Sequence, residues 1–147
     1  MRHRVKRLKL NKQRDHLKAM RRNMASSFFI RGYLETTGAK ARMIRPVVEK
    51  LITKAKQQGL YQCRELLTFL NNKESFSNLW EKIVPLFINR SGGYTRLIRL
   101  NFRKGDSAEM ARLELIDNPI KKVFDQPTAK KSENKSGKVQ ETLENQS

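Results

Sequence analysis

A chain of 147 residues with 32 Lys and Arg against 14 Asp and Glu, a formal charge of +18, reads as one compact body with extensions. Like charge at this density repels itself unless a polyanion neutralises it, so nucleic acid or an anionic membrane surface is the leading partner class, ahead of an acidic protein. No stretch approaches the roughly 18 to 20 apolar residues of a membrane-crossing helix or the apolar core of a signal peptide, which predicts a soluble cytoplasmic protein, and the lone Cys63 excludes an intramolecular disulfide and any zinc site built on paired cysteines.

The charge is concentrated at the start. Residues 1–22 hold ten Lys and Arg against Asp15 alone, a local charge of +9. As far as Arg14 the only apolar side chains after Met1 are Val5, Leu8 and Leu10, too few to offset the entropy of ordering the backbone. Residues 1–14 therefore read as a basic arm that orders on a partner. A compact α/β body is expected over 15–118.

From Asp15 the pattern turns helical, with Leu17, Met20, Met24 and Phe28 at three- and four-residue steps and Lys18, Arg21, Arg22 and Ser26 elsewhere on the wheel. Asp15 is the predicted N-cap and Gly32 the predicted stop. Tyr33 to Thr36 is expected to be a short extended piece. Thr36 or Thr37 then caps a helix toward Gly59 with Ile44, Val48, Leu51, Ile52 and Ala55 inward, and Pro46 is expected to kink or divide it near Arg45. The TTGAK segment is not a phosphate-binding loop: five residues separate Gly32 from Gly38 where four are needed, and Ala39 follows Gly38.

A further helix is predicted over Leu60 to Leu70 with Leu66, Leu67 and Leu70 inward. Another is expected to start after Ser75 or Ser77, to run through Leu79, Trp80, Ile83 and Val84, and to be limited by Pro85. Trp80 reads as a packing anchor and Cys63 as a small, buried or half-buried hydrophobe. Beyond the glycine pair of NRSGGYTRLIRL, parity assigns Ile98, Leu100 and Phe102 to one strand face and Arg99, Asn101 and Arg103 to the other. Lys104 to Ser107 supplies turn residues, and Ala111, Leu113 and Leu115 alternate with Arg112, Glu114 and Ile116. An antiparallel C-terminal β-hairpin follows. After Asn118-Pro119, residues 119–147 are poor in apolar side chains, with six Lys against four Asp and Glu, and read as a low-complexity, disordered tail.

The fold class is α+β: four to five helices on a small sheet that contains the hairpin, between a basic arm and a disordered tail. The order of the segments MRHR, AMRRNM, ETTGAKARMIRPVVEKLITKAK, RSGGYTRLIRL and KGDSAEMARLEL resembles the bacterial-type large-subunit ribosomal protein seventeen family over Met1 to about Asp117. That resemblance implies a structural, non-enzymatic component of the large ribosomal subunit. Its partners would be 23S-type rRNA near the exit of the peptide tunnel and neighbouring ribosomal proteins, with no cofactor, metal, membrane or small-molecule substrate.

On that basis two groups of RNA-binding residues are expected. The first is the arm, Arg2, His3, Arg4, Lys6, Arg7, Lys9, Lys12 and Arg14, continued on the first helix by Lys18, Arg21 and Arg22. The second is Arg90, Ser91, Gly92, Gly93, Tyr94, Arg96, Arg99 and Arg103, in which the glycines let backbone approach a phosphate flanked by arginines. A nucleoid-type DNA-binding module is the alternative, although no recognition-helix motif supports it. An RNA-processing enzyme is less favoured, because His16 beside Asp15 is the only close acid–histidine pair and adjacent helical residues point apart.

Overall fold

The computed structural model describes residues 10–117. The arm as far as Lys9 and the tail from Asn118 onward therefore lie outside the described residues, as do the expectations placed on them. Helix α1 (Arg14–Arg31) leads into strand β1 (Tyr33–Thr37), followed by α2 (Gly38–Lys56) and α3 (Leu60–Leu70). A helical path then runs through α4 (Lys73–Ser77), a π-helical segment (Asn78–Ile83) and α5 (Val84–Phe87) before β2 (Thr95–Arg99) and β3 (Met110–Leu115). The strand order is β1-β3-β2, with β3 antiparallel to both neighbours. The expected hairpin is β2–β3, and its second strand also pairs with the short strand that precedes α2.

One core joins the helices to the inner face of the sheet. Phe28 and Phe29 of α1, Ile44, Val48 and Ile52 of α2, and Leu66 and Leu70 of α3 meet Leu79, Ile83 and Phe87, with Leu113 and Leu115 closing the sheet side. All five residues expected to line α2 are buried. So are Ala111, Leu113 and Leu115, because alternate residues of a strand share a face. Gly32 ends α1 at φ 74°, a left-handed conformation open to glycine, and its N–H reaches Phe28 O at 2.7 Å.

Several local expectations are corrected. Helix α1 begins one residue before Asp15, and Asp15 lies in its first turn without capping it. The buried stripe of α1 is Ala25, Phe28 and Phe29, with Met24 half-buried against it, while the turns before Met20 contain no buried residue. Ser26, expected at the surface, faces α3 and donates to Leu70 O at 2.7 Å. Helix α2 runs undivided through Pro46, because that proline sits on the exposed side where water can take the hydrogen bond it cannot make. Leu67 is exposed, since Leu66 and Leu70, four residues apart, already define the inner edge of α3.

The next helix begins earlier than expected, at Lys73. There Asn72 Oδ1 accepts the Glu74 N–H at 2.9 Å, satisfying one of the amides orphaned at a helix start. Pro85 does not end the helical path: it occupies the first turn of α5, where an amide hydrogen is not required. Trp80 stacks on Phe76 with ring centroids 5.5 Å apart and packs half-buried against the core, the anchoring role expected of it.

Candidate nucleic-acid interface

The segment that carried the clearest pattern of glycine and arginine connects α5 to β2. Its backbone is held from inside. Lys56 Nζ, from the last turn of α2, donates to Arg90 O at 2.6 Å, and the Tyr94 hydroxyl lies 3.3 Å from both Arg90 O and Ser91 O. Tyr94 is only 1% exposed and its ring meets Phe87 edge-on at 5.3 Å. Its ring is therefore an internal strut in this structure and not an exposed stacking surface.

Arg90, Ser91, Gly92 and Gly93 are all exposed. Gly93 has φ +65°, which disfavours any side chain, whereas a Cβ at either glycine would meet nothing within 4 Å. Gly92 has neither a left-handed φ nor a neighbour to avoid, so the fold makes no use of its missing Cβ. Arg90 Nη1 lies 3.7 Å from Asp117 Oδ2, a surface pair weak enough to exchange for another anion.

Beyond Tyr94 the expected two-faced strand is shifted by one residue. Leu97 lies opposite Leu113 and Thr95 opposite Leu115, so Thr95 and Leu97 share the inner face; Ile98 sits opposite Arg112 on the outer face with Arg96. The Thr95 hydroxyl is buried because it donates to Glu49 Oε1 at 2.9 Å, which lets a polar side chain take an inward position. The regular strand stops at Arg99, and Phe102, expected inward, is 69% exposed. Parity read from the sequence favoured the row Ile98, Leu100, Phe102 because it holds more apolar side chains. The register instead follows Leu97 and the satisfied Thr95.

This shift changes the electrostatics of the sheet. The outer face sets Arg96 opposite Glu114 and Arg112 opposite Glu35, and Arg112 Nε donates to Glu35 Oε1 at 2.8 Å while its guanidinium lies over Tyr33. Charge there is balanced, not uniformly cationic. Exposed cations gather at the two ends of the sheet: at one end the Arg90–Gly93 loop, at the other Arg99 and the β2–β3 connection. In that connection Arg103 is bound by Asp106 through bonds of 3.0 and 2.5 Å. The Arg103 bonds, aided by the Ala108 N–H, pull the Asp106 carboxyl down to about 2, so the tip carries a fixed ion pair.

The arginines of the second expected group are thus not gathered at one place: Arg90 precedes β2, Arg96 and Arg99 lie on its opposite faces, and Arg103 follows it. Of the first group, Lys12, Arg14 and Lys18 are exposed within the described residues, and Arg2, His3, Arg4, Lys6, Arg7 and Lys9 lie outside them. Arg21 and Arg22 are half-buried, and the Nε of each is buried with no partner among the described residues. A buried guanidinium donor left open is costly, and since each Nε is shut off from the surface, only a movement of the side chain would bring it to an acceptor from outside. Lys50, Lys54, Lys56, Tyr61 and Arg64 are surface groups that sequence reasoning missed. They lie on helices whose exposed sides become neighbours only through packing, and no spacing in the sequence signals that.

The fold and its surface define a small, strongly basic α+β domain that presents dispersed cations on a rigid frame. Comparison with known proteins specifies the class. Residues 20–116 match the family model described as Ribosomal protein L17. The large ribosomal subunit protein bL17 of Gemmatimonas aurantiaca is 44% identical over 116 residues, covering 79% of this chain and 98% of its own length. The bL17 proteins of two Tropheryma whipplei strains are 43% identical over 106 residues, 72% of this chain, and the matched region spans 59% of their length. The chain belongs to the ribosomal protein L17 family, whose named relatives here are proteins of the large ribosomal subunit.

Proposed function

We propose that the protein is a structural, non-enzymatic constituent of the large ribosomal subunit in the cytoplasm. It binds 23S-type rRNA near the exit of the peptide tunnel, beside other large-subunit proteins. The observation that carries the reading is membership of the L17 family in a chain of charge +18. Such a protein works by neutralising phosphates where RNA segments converge, and each neutralised phosphate releases a condensed counterion. Helical RNA is met through shape, phosphates and 2′-hydroxyls more than through base edges. The basic arm threads between RNA segments, the first turns of α1 extend its line of cations, and the Arg90–Gly93 loop offers open backbone beside Arg90.

Co-sedimentation of the full chain with large subunits through a high-salt wash tests the reading. A stably bound pool supports it; a pool found only free or on duplex DNA removes it in favour of a nucleoid-type role. Deletion of residues 2–14 is expected to abolish or sharply weaken incorporation, and unchanged incorporation would rule out an anchoring arm.

A further inference from the structure

A groove of about 660 Å³ lies where α1, α2 and α3 meet, on the side of the helices away from the sheet. Its volume falls in the range of roughly 300 to 1,000 Å³ typical of sites for small organic groups. The floor is apolar, made by Val47 and Leu51 of α2 with Leu66 and Phe69 of α3. Around it stand Arg22, Lys50 and Arg64, while Lys54 is matched by Glu65 in an ion pair, so the lining carries a net positive charge. At the mouth Tyr61 is 74% exposed, a flat aromatic surface with no packing duty.

Arg22 is fixed at the rim by the protein itself. The Arg22 guanidinium lies 5.9 Å from the centroid of the Phe69 ring, and its buried Nε has no partner among the described residues. The groove therefore offers an apolar floor, an exposed ring and, on Lys50 and Arg64, exposed cations with no ion pair among the described residues, within one small volume. A nucleotide answers all of them in one unit: a planar base covers apolar surface and stacks on an aromatic ring, and its phosphate meets the cations. An acidic apolar peptide would satisfy the charge and the floor but would leave the flat face of Tyr61 without a matching partner.

We propose that this groove receives an unpaired, extruded nucleotide of the bound RNA, with the base against Tyr61 and the apolar floor and the phosphate on Lys50 and Arg64. The proposal rests on the rRNA-binding reading above and adds a specific mode of contact to it. It makes α3, which contributed no residue to the expected interface, part of the RNA-facing surface, continuous through Arg22 with the cations of α1.

Ultraviolet crosslinking of the full chain to deproteinised large-subunit rRNA, with mass-spectrometric location of the adducts, tests this directly. Nucleotide adducts on the peptide that contains Tyr61 and Phe69 are expected. Tyr61→Ala and Lys50→Glu, both at exposed positions, should leave the melting temperature unchanged and lower rRNA affinity roughly tenfold, within the range measured for loss of one base–aromatic stack. Adducts confined to other segments, together with undiminished affinity of both variants, would overturn the nucleotide proposal while leaving the RNA-binding reading intact. Crosslinks from this peptide to a neighbouring ribosomal protein in assembled subunits, or to residues 118–147 of the same chain, would overturn it in favour of a protein occupant. A wild-type chain that binds no rRNA would remove both readings together.

Discussion

Replacing Tyr94 by Phe distinguishes a strut from an RNA contact. The hydroxyl lies 3.3 Å from Arg90 O and Ser91 O, 3.4 Å from Lys56 Nζ and 3.5 Å from Thr53 Oγ1, so it is surrounded by polar groups of the loop and of α2. Removing it leaves Arg90 O still bonded to Lys56 at 2.6 Å and releases only Ser91 O, which is exposed enough to rehydrate. The net loss is then that of one ordinary hydrogen bond, about 1 kcal/mol. For a folded body of this size that lowers the melting temperature by about 4 °C. The ring and its edge contact with Phe87 survive in Phe but not in Tyr94→Ala, which is expected to cost about 3 to 5 kcal/mol through the cavity it leaves. Thermal denaturation paired with filter binding to deproteinised large-subunit rRNA reads both effects. The expected result for Tyr94→Phe is a small drop in melting temperature with affinity changed less than about threefold, because 1 kcal/mol spent on loop order reaches the interface only in part. An unchanged melting temperature with a tenfold or greater loss of affinity would show that the hydroxyl reaches RNA, and the strut reasoning would fail.

Three further predictions address the loops at the sheet ends and the exposed cations. Gly93→Ala should destabilise the free chain by about 1 to 2 kcal/mol through its left-handed φ, whereas Gly92→Ala should be neutral within about 0.5 kcal/mol. A drop in rRNA affinity for Gly92→Ala, measured beside an unchanged melting curve, is therefore a clean sign that backbone meets RNA there. The Asp106 carboxyl, held down to about 2 chiefly by its hydrogen bonds from Arg103, has a folded value below its ordinary one. Its contribution to loop order is present above about pH 4 and is lost as pH falls toward 2; the Ala108 amide resonance should shift across that window, and Asp106→Asn should abolish the shift. Lys18→Gln should flatten the dependence of log affinity on log salt by roughly 0.7 to 0.9, one phosphate contact, while Arg112→Gln, whose charge is taken by Glu35, should leave the slope unchanged.

How much of this was legible in the sequence differs by element, and the reasons are physical. The inner faces of α2 and β3 were readable because they are buried along their whole length and their spacing repeats without interruption. Gly32 was readable because a left-handed helix stop leaves few alternatives to glycine. The face of β2 was misread because a five-residue strand offers only two or three residues per face, and one hidden hydrogen bond, Thr95 to Glu49, is enough to invert the choice. The loop was legible as exposed glycine and arginine, but Tyr94 within it was not separable from its neighbours: a tyrosine between glycine and threonine looks the same whether its ring turns inward or outward. Residues of the helical groove were beyond reach for a different reason. Lys50, Tyr61 and Arg64 become neighbours only when α2 folds back on α3, a contact that the turn between them permits and the apolar stripes select.

The arginines of β2 have a use that requires no RNA, and it decides where the polyanion is to be sought. β2 is an edge strand, and an open edge of unpaired amides and carbonyls invites pairing with another chain. Charged side chains along an edge oppose that, and Arg96 and Arg99 stand on opposite faces of it, so an approaching strand meets a cation from either side. β1, the other edge, carries Glu35 locked to Arg112. Arg96 is further offset by the Glu114 that faces it. The sheet thus consumes much of its own charge in protecting its edges and balancing its outer face. On the proposed rRNA-binding reading, the excess charge that meets the phosphates is therefore to be sought elsewhere: on residues 1–14 and α1, on the Arg90–Gly93 loop, and on the rim of the helical groove.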